Sequence, residues 1–252
     1  MDVSIIPTDY RPRADLMQGK NILVTGAGDG IGRAAAMAYA AHGATVLLLG
    51  RTASKLEAVY DAIEASGAPT PAMIEMDFAS APEESYTNLA TELGNEFRHL
   101  DGLLHNAALL GDRRSIQSAG YADWQNVMQV NVNAQFILTR TLLPLLNLAK
   151  SASLIFTSSS VGRVGKAYWG SYAVSKFATE GLMQVLAGEL ENTSNIRVNS
   201  LNPRATNTAM RRAAFPAETP TDNPSPEDIM QGYLFLMGDD SVDITGRTFD
   251  VR

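Results

Sequence analysis

At 252 residues, with 45% hydrophobic and 19% charged side chains, the chain is long enough to bury the core of one sizeable domain. Its formal net charge of −7 argues against a nucleic-acid partner, because phosphate binding needs a basic surface. The absence of cysteine excludes disulfides, thiol nucleophiles and thiolate-bound metals, and fits a reducing cytoplasm.

Residues 1–19 read as an N-terminal extension in which Asp2, Asp9, Arg11, Arg13 and Asp15 mix with Pro7 and Pro12, without the apolar core of a signal peptide. From residue 20 short apolar runs alternate with helical periods. Residues 21–25 are a predicted strand ending at glycines, 31–42 an alanine-rich helix, 45–49 a strand and 54–65 a helix. A weaker strand at 73–76, a helix at 82–97 and a strand at 102–105 follow. The period then predicts one long helix within 121–148, with Val127, Val130, Ala134, Ile137, Leu138, Leu142 and Leu145 on its apolar face. Next come a strand at 153–157 and a helix at 171–191, whose Val174, Ala178, Leu182, Val185 and Leu186 share a face. Residues 196–201 are strand, 226–237 helix and 247–251 strand. Residues 204–226, with four prolines among Thr and Ala, read as a lid loop. The expected fold is a single Rossmann-like α/β domain over 20–252, doubly wound, with about seven parallel strands and helices on both faces. No run approaches a membrane span. His42, His99 and His105 show no paired ligand spacing, so no metal site is expected.

Two stretches carry chemistry. Thr25-Gly26-Ala27-Gly28-Asp29-Gly30-Ile31-Gly32 sits on the first strand-to-helix turn, where glycines admit a pyrophosphate and the helix N-terminus offers free N–H groups. A plain glycine-rich turn is the alternative. In Tyr172-Ala173-Val174-Ser175-Lys176 an i,i+4 spacing puts phenol and ammonium one helical turn apart, an arrangement expected to lower the tyrosine pKa toward usable general acid–base chemistry. Ser159 lies thirteen residues before the tyrosine.

The order of these motifs, with the spacing T-G-x-x-x-G-x-G, resembles the short-chain dehydrogenases/reductases over about residues 20–250. Residues 128–134, 175–181 and 235–240 resemble most its YciK-type oxidoreductases. The resemblance implies hydride transfer between a nicotinamide and a carbonyl or alcohol substrate. It casts Tyr172 as proton donor, Lys176 as the residue that lowers its pKa and binds the nicotinamide ribose, and Ser159 as the partner of the substrate oxygen. Ser158 and Ser160 would then be structural. Asn131 would hold a water of the proton relay, or be a helix residue with a satisfied amide. Gly26, Gly28, Asp29, Gly30, Ile31 and Gly32 form the implied phosphate turn. Asp77 and Phe78, with Asn106 and Ala107, shape the adenosine side; Asp77 could equally be a helix N-terminal carboxylate. Asp101 resembles a structural acid. Pro203, Thr206 and Thr208 wrap the carboxamide.

Arg51 stands where NAD users commonly carry an acid, so NADP(H) is expected over NAD(H), although Asp29 occupies a loop where NADP users often place a base. Departures from the family pattern are Arg204 and Ala108 in place of glycines, His105 before Asn106, and the ending Asp250-Val251-Arg252. Those departures leave a second reading open, a dinucleotide-binding sensor or scaffold with little catalysis. His105 reads as a packed strand-end residue. The family likeness also implies a homodimer or homotetramer through helices near 123–148 and 171–191, with Phe136, Met183 and Leu190 as apolar residues beyond the core face.

Overall fold

Strands that are apolar along their whole length need cover on both faces, and a sheet whose alternate side chains point to opposite sides builds two cores. The computed structural model shows this arrangement. It describes residues 3–7 and 9–251; Met1, Asp2 and Thr8 of the extension, and Arg252 of the departing C-terminal ending, lie outside the described residues. In chain order the strands are β1 (Val3–Ile5), β2 (Asn21–Thr25), β3 (Thr45–Gly50), β4 (Ala72–Glu75), β5 (Gly102–His105), β6 (Ala152–Thr157), β7 (Ile196–Asn202) and β8 (Thr248–Asp250). They form one sheet of order β1-β8-β7-β6-β5-β2-β3-β4 with every neighbouring pair parallel. In β2 the division is direct: Ile22 and Val24 enter one core, Leu23 the other.

The sheet has eight strands where about seven were expected. The extra one is β1, drawn from the extension and paired in parallel with β8, Val3 opposite Thr248. A three-residue strand gives almost no periodic signal. The rest of the extension is also built into the domain. Ile6, Leu16 and Met17 are buried in the first core, and Met17 donates its N–H to His42 O at 2.9 Å.

The helices are α1 (Gly30–Ala41), α2 (Ala53–Ala65), α3 (Glu83–Phe97), α4 (Tyr121–Met128), α5 (Ala134–Asn147), α6 (Gly170–Leu190), α7 (Ala209–Ala214) and α8 (Met230–Met237). The long helix predicted at 121–148 is broken into α4 and α5 by a π-turn at Gln129–Asn133. Such a turn inserts one residue and rotates the side chains that follow it. The segment expected as a lid loop contains α7, capped by Thr208 Oγ1, which accepts from Arg211 N at 3.1 Å.

α6 departs most from its periodicity. Val174 and Val185 of the expected inner stripe are 42% and 60% exposed. Leu186 of that stripe is buried and Leu182 packs against the second core, but most of the buried face carries Tyr172, Ser175, Lys176, Thr179, Glu180 and Met183. Met183, expected at a subunit surface, is in the second core. Among the described residues no helix is long and apolar enough to cross a membrane.

Met17→Ala should cost about 2–5 kcal/mol in urea denaturation, the usual range for truncating a core methionine. A loss below about 0.5 kcal/mol would mean that the extension is not part of the cooperative unit.

Candidate active site

Strand order reverses between β5 and β2, and the crevice at that junction lies beyond the carboxyl ends of the strands. Thr25 ties the two strands together there. Its hydroxyl donates to Leu104 O at 3.1 Å and accepts from the N–H groups of Asn106 and Ala107 at 2.9 and 3.1 Å. The crevice opens into a cavity of about 530 Å³ that runs from the glycine turn to Tyr172 and Lys176.

At the phosphate end Gly26 turns with φ +68°, and a Cβ there would press on Ala107 Cα and Asn106 Nδ2 at 3.1 Å. Asp29 caps α1 by accepting from Gly30 N at 2.7 Å, and its other oxygen pairs with Lys55 of α2. That capping, with the bond from Arg33 N to Asp29 O, leaves the N–H groups of Ile31 and Gly32 without a partner among the described residues. Two free donors at the positive end of a helix dipole fit a phosphate. The ion pair with Lys55, which the sequence reading missed, also offsets the charge of Asp29 and holds its pKa below the ordinary carboxylate value.

Of the expected site residues, Gly26, Gly28, Asp29, Gly30, Ile31, Arg51, Asp77, Phe78, Asn106, Ala107, Ser159, Tyr172, Lys176, Pro203, Thr206 and Thr208 line this cavity. Gly32 and Asn131 do not. A Cβ on Gly32 would lie 2.1 Å from Gly26 O, so this glycine serves the close packing of α1 on the turn. Asn131 is fully buried in the π-turn. Its Oδ1 accepts from Leu109 N at 2.7 Å, and its Nδ2 donates to Leu109 O at 2.9 Å and Ser175 Oγ at 3.0 Å. The amide is satisfied by the backbone it pins, behind the cavity wall. Asp77 both lines the cavity and accepts from Ala79 N at 3.0 Å. Asp101 accepts from Asn21 N at 2.9 Å and pairs with His99 at 3.2 Å, as a structural acid would. His105 is a packed residue: it is stacked on Phe156, bonded through Nε2 to Thr139 at 2.8 Å, and held to a pKa of about 3 by burial and the Lys176 charge.

The pair Tyr172 and Lys176 corrects one expectation. Tyr172 was expected below its ordinary pKa; burial pushes the phenol up to about 12, with a hydrogen bond from Ser159 acting the other way. Lys176 does not face the phenol closely enough to reverse this. Its Nζ donates to Thr157 O at 2.7 Å and lies 5.6 Å from the centre of the Tyr172 ring, while desolvation lowers its own pKa to about 8. Ser159 is half-buried beside the tyrosine, Ser158 is turned inward to Glu180 at 2.6 Å, and Ser160 is exposed.

Beyond Tyr172 the cavity wall is apolar, formed by Leu109, Leu110, Trp169, Met210, Ala214 and Phe215. Trp169 packs on Tyr172 and Phe215 at ring separations of 5.8 and 5.7 Å. Arg113 holds α7 down, with its guanidinium 4.4 Å from the Trp169 ring and a hydrogen bond to Ala214 O. Arg204 lines the cavity in the left-handed region at φ +55°, and its exposed side chain has no partner among the described residues. No group of three or more His, Asp or Glu among the described residues is arranged to hold a metal.

The short chain dehydrogenase family model matches residues 20–219. The uncharacterized oxidoreductase YciK of Escherichia coli (strain K12) is 52% identical over 96% of both chains. A short chain dehydrogenase structure from Shigella flexneri 2a, complexed with NADP, superposes with a TM-score of 0.92 at 52% identity, covering 94% of this chain and 99% of that one. A counterpart from Escherichia coli CFT073, complexed with NADPH, gives 0.92 at 53% identity over 95% and 99%.

Proposed function

The chain belongs to the short-chain dehydrogenase family of oxidoreductases, and from that premise we propose that it transfers hydride between NADP(H) and a carbonyl or alcohol substrate. The observation that carries this reading is the convergence of Ser159, Tyr172 and Lys176 on one wall of a cavity that begins at a phosphate-fitting glycine turn. A nicotinamide bound there supplies or accepts the hydride.

The residues of the chain handle the oxygen. Ser159 and Tyr172 donate hydrogen bonds to the substrate oxygen and stabilise charge that develops on it. A phenol held protonated by burial is a proton donor, so in the reductive direction its proton passes to the oxygen as the carbon takes up hydride. Lys176 holds a positive charge beside the site and restores the phenol proton. Asn131 fixes Leu109 and the π-turn. The apolar wall around Trp169 and Phe215 favours an apolar carbonyl compound. This intact set favours an enzyme over a sensor or scaffold that only binds dinucleotide.

For the cofactor, Arg51 directly follows β3, exposed and without a partner among the described residues, and no acid replaces it there. A guanidinium can grip a 2′-phosphate through paired hydrogen bonds. Asp29 is no obstacle, since Lys55 matches its charge. The NADP and NADPH complexes of the similar structures support the same choice. For assembly, the outward apolar residues Phe136, Val174, Phe177 and Val185 on α5 and α6 favour a homodimer or homotetramer built on these helices.

Tyr172→Phe should lower NADPH-dependent reduction of an accepted carbonyl by about 10²-fold or more while leaving cofactor affinity nearly unchanged. In the wild type, kcat/KM should fall above about pH 8 as Lys176 loses its charge. Full activity in the phenylalanine variant would refute the mechanism. Arg51→Ala should weaken NADPH about 10–100-fold in a fluorescence titration, the worth of hydrogen bonds to a charged group, and leave NADH unchanged. Tighter binding of NADH than NADPH by the wild type would overturn the preference. A double Phe136→Asp, Phe177→Asp variant should lower the mass seen in light scattering; a wild-type monomer would contradict the assembly.

A further inference from the structure

One helical turn past Lys176, α6 buries a second charged side chain to which the proposed reaction gives no part. Glu180 is 1% exposed and both its oxygens are engaged. Oε1 accepts from Ser158 Oγ at 2.6 Å and Arg163 Nε at 3.2 Å, and Oε2 from Ser200 Oγ at 2.7 Å and Thr248 Oγ1 at 3.0 Å. The donors come from the segment that follows β6, from β7 and from β8. Arg163 is held in turn by Asp250 Oδ1 at 2.6 Å and Phe249 O at 3.1 Å.

Packing alone does not call for a carboxylate here, since well-fitted apolar residues commonly replace buried ion pairs without loss of stability. The neighbour does. Lys176 is buried with its hydrogen bond going to a neutral carbonyl, and an i,i+4 spacing sets Glu180 on its side of the helix. The other groups around Lys176 cannot balance its charge. His105 from β5 is kept neutral, Tyr172 on α6 and Tyr233 on α8 are protonated phenols, and Arg163 is itself a cation, paired with Asp250 as well as with Glu180.

We propose that Glu180 is a positioning residue of the active site: it is the counter-charge of Lys176 and the tie between the strand end bearing Ser158 and Ser159 and the helix bearing Tyr172. The catalytic part of this inference rests on the reading of Tyr172 and Lys176 as the proton-transfer pair. Burial works to discharge Lys176 and Glu180 works against it. Removing the carboxylate charge therefore makes the ammonium lose its proton at lower pH.

The test is Glu180→Gln in the full chain, which keeps the side chain's shape and lets the Ser200 and Thr248 hydroxyls turn to accept from the amide. Lys176 is followed by NMR with lysine labelled at Cε, its signal assigned through Lys176→Met. The titration midpoint should fall by about one pH unit or more, the usual effect of one close opposite charge. The alkaline limb of kcat/KM should move down with it. A purely structural Glu180 would lower the thermal midpoint and leave the Lys176 titration in place, which would overturn the proposal. Arg163→Met provides the opposite sign: with the competing cation gone, the Lys176 midpoint should rise, and an unmoved midpoint would again overturn it. That variant decides the matter if Glu180→Gln does not fold. The titration needs no turnover, so an active Tyr172→Phe enzyme would sink the reaction mechanism without touching this result.

Discussion

A lysine ammonium buried to 1% exposure is the constraint around which the active end of this protein is arranged. Removing a cation from water is costly, and it stays charged only where nearby groups replace the lost hydration. Here Thr157 O accepts from it directly and the Glu180 carboxylate lies one helical turn away. That carboxylate is fixed by hydroxyls and a guanidinium from β7, β8 and the segment that follows β6. The charge on Lys176, the place of Ser159 and the seating of α6 on the sheet are thus one problem with one set of hydrogen bonds.

The same logic accounts for the unusual face that α6 presents to the core. A helix that feeds polar side chains inward must satisfy each of them, and this one does so for Ser175, Lys176, Thr179 and Glu180. Its valines then lie outward, where water does not favour them. A hydrophobic period is blind to such buried polar side chains, because it records only where the apolar ones recur.

The opposite end of the cavity works through backbone. Reversal of strand order between β5 and β2 opens a crevice, and Thr25 holds its two walls at the spacing that the glycine turn needs. Asp29 takes one N–H of α1 and leaves two for a ligand, while Lys55 matches its charge. At the apolar end of the cavity the aromatic pair Trp169 and Phe215, clamped by Arg113, brings α7 over Tyr172. The glycine turn and the apolar wall therefore rest on separate elements that line one cavity.

The sequence alone determined what is local. Apolar runs of strand length, helical periods between them and a glycine cluster on the first turn were enough for a doubly wound parallel sheet, and the run from Tyr172 to Lys176 marked a helix that lines the cavity. These signals survive because the backbone conformation they report is set by neighbours within a few residues. Tertiary structure decided the rest. It recruited the extension as β1 and as core, since three residues carry no readable period. It turned Asn131 away from the cavity and onto Leu109, through a π-turn that spacing does not show. It raised the Tyr172 pKa that adjacency to Lys176 was expected to lower, because burial acts on the phenol while the ammonium is directed to Thr157. Charge balance and burial depend on groups brought together from 20 to nearly 70 positions apart, as Ser200 and Thr248 are at Glu180, and no local pattern in the chain records such meetings.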